Sequence, residues 1–151
     1  MKKLIFVILL LITVTGCAKK EITIYEDDEI DVFDQILTKI GNGTTKAYDL
    51  RSEEECYAGR IPKFFCARTK DINGNVKSLD TIYENLVLLI GKKYNYLIIL
   101  MDNNNGEAKY LADKLFLAGY YNIHYFKSGY DVYAEMRKDS FIPEIGECTI
   151  C

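Results

Sequence analysis

A polar loop follows the most apolar stretch of the chain and contains side chains that could do chemistry. Residues 96–101 form a continuous apolar run, and six polar or small residues follow it directly. A carboxylate in this place could act as a nucleophile, and a carboxylate with amide oxygens could bind a metal ion. A helix that begins just after the loop would also point backbone N–H groups at an anion. This candidate site consists of Asp102, Asn103, Asn104, Asn105, Gly106 and Glu107.

The spacing within the loop disfavours both of these chemistries. Phosphatases of the haloacid-dehalogenase type require Asp-x-Asp-x-Thr or Asp-x-Asp-x-Val, whereas the third and fifth places here are Asn104 and Gly106. The calcium loop of an EF-hand has glycine at its sixth place, and this glycine is the fifth residue. We interpret the loop as a tight turn, which Asp and Asn tolerate, and we expect no metal and no cofactor. The sole histidine, His124, lies in a strand pattern, so we expect it to pack rather than to act as a general base.

Four cysteines beyond the N-terminal region could form disulfides or take part in redox chemistry. Cys56, Cys66, Cys148 and Cys151 are an even set, which in an exported chain predicts disulfides, and three pairings are open. Cys148 and Cys151 also form a CxxC motif, so a redox or sulfur-relay role stands beside the structural one. A zinc site of four cysteines is disfavoured because the chain has a single CxxC.

The N-terminal residues predict export and lipid attachment. Two lysines precede an apolar run over residues 4–12, which is shorter than the roughly 20 residues that span a bilayer. Residues 14–17, Val-Thr-Gly-Cys, resemble the lipobox of bacterial lipoproteins. The resemblance implies a signal peptide over residues 1–16, cleavage after Gly16, and a diacylglyceryl thioether on Cys17. We expect residues 17–29 to be the lipidated N-terminus and a short tether.

Composition limits the partners of the mature chain. The sequence has 151 residues, of which 49% are hydrophobic and 27% charged, as expected for one globular domain. Removal of residues 1–16 removes two lysines and leaves 17 basic against 22 acidic residues, a net charge of -5. No segment clusters Lys and Arg densely enough to track phosphates, so we expect no nucleic-acid partner.

Hydrophobic periodicity predicts helices that alternate with strands. Helical spacing occurs over 30–40, 79–90, 108–116 and 130–137, with a shorter helix at 53–58, and strand-length segments occur over 46–50, 64–66, 96–101 and 122–126. This alternation predicts an α/β fold with a mostly parallel central sheet between helix layers. In such sheets the functional site lies at the carboxyl ends of the strands, where the polar loop falls.

Two segments resemble the rhodanese-like domain family. Residues 49–62, Asp-Leu-Arg-Ser-Glu-Glu-Glu-Cys-Tyr-Ala-Gly-Arg-Ile-Pro, are similar to a family signature in which Asp-Val-Arg leads through a Glu-rich turn to Gly-His-Ile-Pro. Residues 98–119 and 122–133 look like the second half of the family, including its closing Gly-Gly-x-x-x-Trp-like segment. The resemblance implies a rhodanese-like three-layer sandwich over residues 30–138, with helices on both faces of the sheet. A C-terminal tail with the CxxC follows over residues 139–151.

The resemblance places Asp102 where the family has its persulfide-forming cysteine. An aspartate cannot accept a sulfane sulfur, and its charge repels thiosulfate. The loop also lacks the cationic residues that active relatives carry. Asp49 and Arg51 match the family's strand end, and Arg60 takes the place of the usual histidine before Ile61-Pro62. The resemblance implies that these three residues support the loop.

Together these features predict a lipid-anchored, rhodanese-like lipoprotein of the bacterial cell envelope, on the extracytoplasmic side. We expect that it has lost sulfurtransferase activity and acts as a binding or scaffolding module. Its expected partners are membrane lipid, through Cys17, and an envelope protein. The alternative is an enzyme, namely a sulfur carrier, a sulfurtransferase or a thiol oxidoreductase that uses Cys148 and Cys151. No catalytic residue is assigned, and the sequence leaves open whether the protein is an enzyme.

Overall fold

Strands and helices alternate along residues 20–147, the part of the chain that the computed structural model describes. The strands are β1 (Glu21–Tyr25), β2 (Thr45–Ser52), β3 (Phe65–Arg68), β4 (Leu97–Met101) and β5 (Asn122–Phe126). The helices are α1 (Ile30–Leu37), α2 (Glu53–Ala58), α3 (Leu79–Ile90), α4 (Glu107–Leu117) and α5 (Gly129–Arg137). A short 3-10 helix, Asp27–Glu29, leads into α1.

The five strands form one sheet in the order β1-β5-β4-β2-β3, and every neighbouring pair is parallel. Glu21 pairs with Asn122 and Thr45 pairs with Leu97, so the strands begin side by side. We call the edge where the strands begin the amino edge and the opposite edge the carboxyl edge. The predicted α/β fold with a parallel sheet is confirmed.

Helices cover both faces of the sheet. On one face, the apolar sides of α3 and α4 pack against Ile98 and Leu100 of β4. On the other face, α1 and α5 pack against Ile99 and Met101 through aromatic side chains that include Phe33. All of β4 is buried, which explains why its sequence is continuously apolar instead of alternating.

Local sequence signals set the ends of the helices. The Ser78 hydroxyl accepts a hydrogen bond from the backbone N–H of Thr81 at 3.1 Å, which caps α3, and Gly91 ends this helix. At α2, Ser52 and Glu55 form a capping box. The predicted boundaries of α2, α3 and β5 are confirmed, whereas α1 ends at Leu37, earlier than residue 40.

Two terminal segments differ from the sequence prediction. The sequence predicts a tether over residues 17–29. Within this range Glu21–Tyr25 instead form β1, which pairs with β5 along its whole length. Part of the expected tail is also ordered against the domain: Glu144 pairs with Arg60 in an antiparallel bridge, and the Phe141 ring lies 5.5 Å from that of Tyr133. Residues 1–19 and 148–151, which include Cys17 and the CxxC, lie outside the described residues.

Candidate functional site

Asp102 lies at the carboxyl end of β4 and organises the loop that follows. Its side chain is buried, and each carboxylate oxygen accepts a backbone hydrogen bond. The N–H of Asn104 donates to Oδ1 and the N–H of Ala108 donates to Oδ2, both at 2.9 Å. The second bond satisfies an N–H in the first turn of α4, so Asp102 takes the role of a helix cap. The N-cap position itself is Gly106, which has no side chain to accept such a bond.

The start of α5 holds the loop from the other side. The N–H of Tyr130 donates to the carbonyl oxygen of Asp102 at 2.7 Å. Gly129 has a φ of 80°, and a Cβ at this position would lie 2.7 Å from both the nitrogen of Asn104 and the carbonyl oxygen of Asp102. Only glycine fits here without moving the loop. The Ser128-Gly129 pair at the start of α5 is a turn signal in the sequence, but it does not show which segment Gly129 contacts.

Asp49 and Arg51 connect the end of β2 with this arrangement. The Arg51 guanidinium donates to Asp49, with Nη2 at 2.6 Å from Oδ2, and Nη2 also donates to the carbonyl oxygen of Gly59 at 2.6 Å. Its planar face lies 3.6 Å from the centre of the Tyr130 ring, a cation–π contact. Burial raises the pKa of Asp49, and the Arg51 charge opposes this effect. Arg51 therefore reaches the loop through Tyr130, and Asp49 contributes by holding the Arg51 guanidinium.

Arg60, which the sequence predicts to support the loop together with Asp49 and Arg51, contacts a different part of the molecule. Its side chain is fully buried, and it donates to Glu144 Oε1 at 2.6 Å and to the carbonyl oxygen of Gly146. The N–H of Gly146 in turn donates to the carbonyl oxygen of Tyr57 at 2.8 Å. Arg60 thus holds the C-terminal segment, and the expectation that it supports the loop is not met by these contacts.

The surroundings of the loop are rich in carboxylates. Asn103 Nδ2 donates to Asp131 Oδ2 at 3.0 Å and lies 3.5 Å from Glu55 Oε1. Glu107 forms an ion pair with Arg68, and burial raises the pKa of Glu107 although the Arg68 charge opposes this. Sequence reasoning did not identify Asp131 or Arg68 as neighbours of the loop, because both come from other elements.

A cavity of about 380 Å³ opens beside Asp102. Its two lysines, Lys109 and Lys127, each form an ion pair within the domain, with Asp113 and Glu26 respectively. A dianion that entered the cavity would have to compete with these carboxylates for the lysines. The lining residues are Ile24, Glu26, Asp102, Asn104, Gly106, Lys109, Tyr125 and Lys127.

The other titratable candidates lie away from the loop. His124 is buried in β5, with Nδ1 at 2.9 Å from the Tyr25 hydroxyl and Nε2 at 2.8 Å from Asn122 Oδ1. Burial, aided by the Lys39 charge, lowers the pKa of His124 to about 4. This agrees with the prediction of a packed histidine, since a neutral imidazole is the form that the site stabilises.

Cys56 and Cys66 form a disulfide with their Cα atoms 5.8 Å apart, which joins α2 to β3. The sequence left three pairings of the four cysteines open. Because Cys56 and Cys66 bond to each other, neither of them is bonded to Cys148 or Cys151. Within residues 20–147, no group of three or more His, Cys, Asp and Glu side chains is placed to share a metal ion. None of the helices in this same range has the length and apolar character needed to cross a membrane.

Fold and site together define an α/β protein whose candidate loop lies where the central strand of a parallel sheet ends. The sequence matches the rhodanese-like domain family over residues 32–136, and it matches a prokaryotic membrane lipoprotein lipid attachment site over residues 1–18. The chain belongs to the rhodanese-like domain family. The attachment site implies a membrane-anchored lipoprotein.

Solved structures agree with the fold. The crystal structure of the Alr3790 protein from Anabaena sp. is similar with a TM-score of 0.55 at 12% sequence identity, over 80% of this chain and 82% of that one. The solution structure of At5g66040 from Arabidopsis thaliana covers 85% of this chain and all of its own, at 18% identity and a TM-score of 0.42. The first likeness supports the fold alone, and the second is too weak to add to it. No curated protein matches the sequence.

Proposed function

We propose that this protein is a membrane-anchored binding module of the bacterial cell envelope whose rhodanese-like loop is inactive in sulfur transfer. The observation that carries the proposal is the position and bonding of Asp102. Sulfur transfer by this family requires a thiolate at the start of the loop, and here a carboxylate occupies the place. A carboxylate oxygen cannot form the persulfide.

The hydrogen bonds of Asp102 support the same conclusion by a second route. A loop that binds an anionic substrate or intermediate needs free backbone N–H groups directed at it. The N–H groups of Asn104 and Ala108 already donate to the Asp102 carboxylate. The Asp102 carboxylate therefore occupies the backbone donors that would otherwise bind an anion. A second anion would find these two N–H groups already bonded and would be repelled by the Asp102 charge.

The neighbouring charges act in the same direction. Glu107, Asp131 and Glu55 all lie at or beside the loop. Glu107 pairs with Arg68, and Asp131 accepts a hydrogen bond from Asn103. Thiosulfate is a dianion, so this environment opposes its approach. We infer that the loop recognises no sulfane donor.

The rigid hold on the loop supports a role in binding. The backbone of Asp102 is fixed by Tyr130, and its side chain fixes the loop from within, whereas Asn104 and Asn105 remain exposed. A loop that is ordered before it meets a partner loses little conformational entropy on binding. We propose that an envelope protein contacts this polar loop on the extracytoplasmic side.

The first experiment measures thiocyanate release from thiosulfate and cyanide by the full lipidated chain in detergent. We expect no turnover above the rate without protein. The Asp102→Cys variant serves as the matched control, because it returns a thiol to the same loop and removes the Asp102 charge. We expect it to gain only weak turnover, since Glu107, Asp131 and Glu55 remain beside the loop. Turnover by the unsubstituted chain would contradict the proposal.

A second candidate function rests on the pairing of the cysteines. Because Cys56 and Cys66 bond to each other, Cys148 and Cys151 are left to pair together or to react. A free thiolate there could take the outer sulfur of thiosulfate as its S–S bond breaks and sulfite leaves, and could then pass this sulfur to cyanide. Turnover that disappears in the Cys148→Ser and Cys151→Ser double variant would establish this alternative.

Binding is tested by a photo-crosslinking amino acid in place of Asn105, in the exposed part of the loop. Asn73 is the matched control, because it is exposed in a turn at the same edge of the sheet. We expect a discrete crosslinked product in membranes from the Asn105 position and none from the Asn73 position. Equal products from both positions, or none from either, would contradict a loop-specific partner.

A further inference from the structure

The amino edge of the sheet carries a group of lysines that the proposed function does not use. Four chain segments lead into β2, β3, β4 and β5, namely residues 38–44, 59–64, 91–96 and 118–121. These segments contain no aspartate or glutamate. We define the basic face as the exposed lysines of these segments together with the one that precedes β1; its members are Lys20, Lys39, Lys63, Lys92 and Lys93.

The segments that carry these lysines are bonded to one another at the amino edge. The N–H of Tyr121 donates to the carbonyl oxygen of Tyr94 at 3.2 Å, which joins the entries to β4 and β5. The N–H of Leu97 donates to the carbonyl oxygen of Thr44 at 3.1 Å, which joins the entries to β4 and β2. These bonds connect the entries to β2, β4 and β5. Lys63 joins the same surface because its Nζ lies 3.6 Å from the position a Cβ of Gly41 would take, and Lys20 joins it through its contact with the Tyr121 ring.

The lysines of the basic face are not held in ion pairs within residues 20–147, although Glu21 begins β1 beside Lys20 and Glu144 Oε2 accepts a hydrogen bond from the backbone N–H of Lys63. None of its five lysines takes part in the ion pairs formed between residues 20 and 147. Instead, two of them lie over tyrosine rings: Lys20 is 5.2 Å from the centre of Tyr121 and Lys93 is 5.1 Å from that of Tyr96. Tyr94, whose carbonyl oxygen accepts from the N–H of Tyr121 in the same surface, is 40% exposed. Lysines interleaved with tyrosines suit the boundary between lipid headgroups and acyl chains.

The carboxyl edge has the opposite charge. The segments that follow β1 and β2 contain seven carboxylates and no cation: Glu26, Asp27, Asp28, Glu29, Glu53, Glu54 and Glu55. Two cations at this edge, Arg68 and Lys127, are each paired with a glutamate. The domain is thus polarised along its strands, although its net charge is negative.

The chain that follows Cys17 enters the domain at its basic end, where β1 begins. Cys17 precedes the first residue of β1 by four positions, so the two Cα atoms are at most about 14 Å apart. The carboxyl edge lies a strand farther along, about 17 Å for five residues. Since surface charges are screened beyond about 8–10 Å, an anionic membrane acts on the basic face and hardly on the acidic edge.

We propose that the basic face binds the anionic phospholipid headgroups of the membrane that holds the Cys17 lipid, so that the domain stands with its polar loop directed away from the bilayer. Each lysine near an anionic surface favours the bound orientation about fivefold. This inference rests on lipid attachment at Cys17, which is part of the proposed function. It does not depend on whether the loop is inactive.

The test uses tryptophan as a depth reporter, because the natural chain contains none. The Tyr94→Trp variant reports on the basic face, and Ile72→Trp, at a residue that is 99% exposed in the turn after β3, reports on the carboxyl edge. The full lipidated chain is reconstituted into vesicles of phosphatidylglycerol and phosphatidylcholine that contain brominated lipid. We expect quenching several-fold stronger for Tyr94→Trp than for Ile72→Trp.

Charge variants separate headgroup binding from simple tethering. The Lys92→Glu and Lys93→Glu pair, added to Tyr94→Trp, should lower its quenching to that of the Ile72→Trp reporter. The matched control, Lys70→Glu with Lys127→Glu at the carboxyl edge, changes the net charge equally and should leave the quenching unchanged. Equal quenching of both reporters, or undiminished quenching in vesicles of phosphatidylcholine alone, would overturn the orientation.

Flotation of the same samples distinguishes this inference from lipid attachment itself. Chains that float with both kinds of vesicle but show equal quenching overturn the orientation and leave the anchor intact. Chains that float with neither kind overturn the anchor and the orientation together. Flotation with anionic vesicles alone supports the basic face as the site of membrane contact.

Discussion

Replacement of Asp102 by alanine removes the side chain that organises the loop. Two backbone donors lose a charged acceptor, the N–H of Asn104 and the N–H of Ala108. Asn104 is exposed, so water can replace the carboxylate there. Ala108 is buried, and its donor is left unsatisfied at the start of α4.

The expected loss of stability follows from these two bonds. The buried Ala108 donor left without a partner costs about 1–3 kcal/mol, and loss of the exposed Asn104 bond costs about 0.5–1.5 kcal/mol. We expect Asp102→Ala to lower the free energy of unfolding by about 2–4 kcal/mol. Asp102→Asn keeps one acceptor oxygen, so it should lose about half as much.

The assay is urea unfolding at neutral pH, followed by circular dichroism, on the chain from Ala18 onwards. Asp113→Ala is the matched control, since this aspartate lies on the exposed side of α4 and pairs with Lys109 four residues away. Exposed pairs of this kind contribute little, so the control should unfold as the unsubstituted chain does. An Asp102→Ala variant as stable as this control would refute the role of Asp102 in holding the loop.

Three further predictions concern other parts of the domain. Gly129→Ala should lower the free energy of unfolding by about 2 kcal/mol or more, because the added Cβ would clash with the loop backbone at a positive φ. Urea unfolding equal to that of the unsubstituted chain would show that the loop moves to accommodate the Cβ at little cost. His124 has a lowered pKa, so its stabilising contribution is full above about pH 6.5 and is lost as the pH falls to about 4. Over this pH range the free energy of unfolding of the unsubstituted chain should fall by up to about 2–3 kcal/mol more than that of His124→Gln. The same pH dependence in both chains would contradict the lowered pKa of His124. Glu144→Gln removes the carboxylate that pairs with the buried Arg60, and should cost about 2 kcal/mol and expose residues 141–147 to limited proteolysis; an equally resistant segment would show that this ion pair does not hold it.

Long elements with clear periodicity could be predicted from the sequence, and short elements could not. Apolar residues recur at helical spacing over three turns of α3, between Ser78 and Gly91. This pattern predicts both that the segment is a helix and where the helix ends. Strand β1 has five residues, most of them partly exposed, and pairs with a strand about a hundred positions later. Its stability comes from that distant pairing, which no local pattern records.

The position of the site could be predicted, but not its contacts. The resemblance placed Asp102 at the head of the loop from its distance to the following motif. The two amides that it accepts from face it because Asn104 and Gly106 adopt φ values of 60° and 89°. Such turns depend on the surrounding backbone, including the approach of Gly129. The contacts of Arg60 could not be predicted either, since its partner Glu144 lies 84 residues later in the chain.

The direction of β1 connects the two proposals. Because β1 runs parallel to β5, the chain from Cys17 enters the sheet at the amino edge, opposite the loop that Asp102 begins. An antiparallel β1 would have brought the lipid beside that loop instead. Membrane contact and display of the loop therefore occupy opposite ends of the strands, about 17 Å apart. Asp102→Ala, which should weaken the loop, is then expected to leave the quenching of the Tyr94→Trp reporter unchanged; reduced quenching would show that the two ends of the domain are coupled.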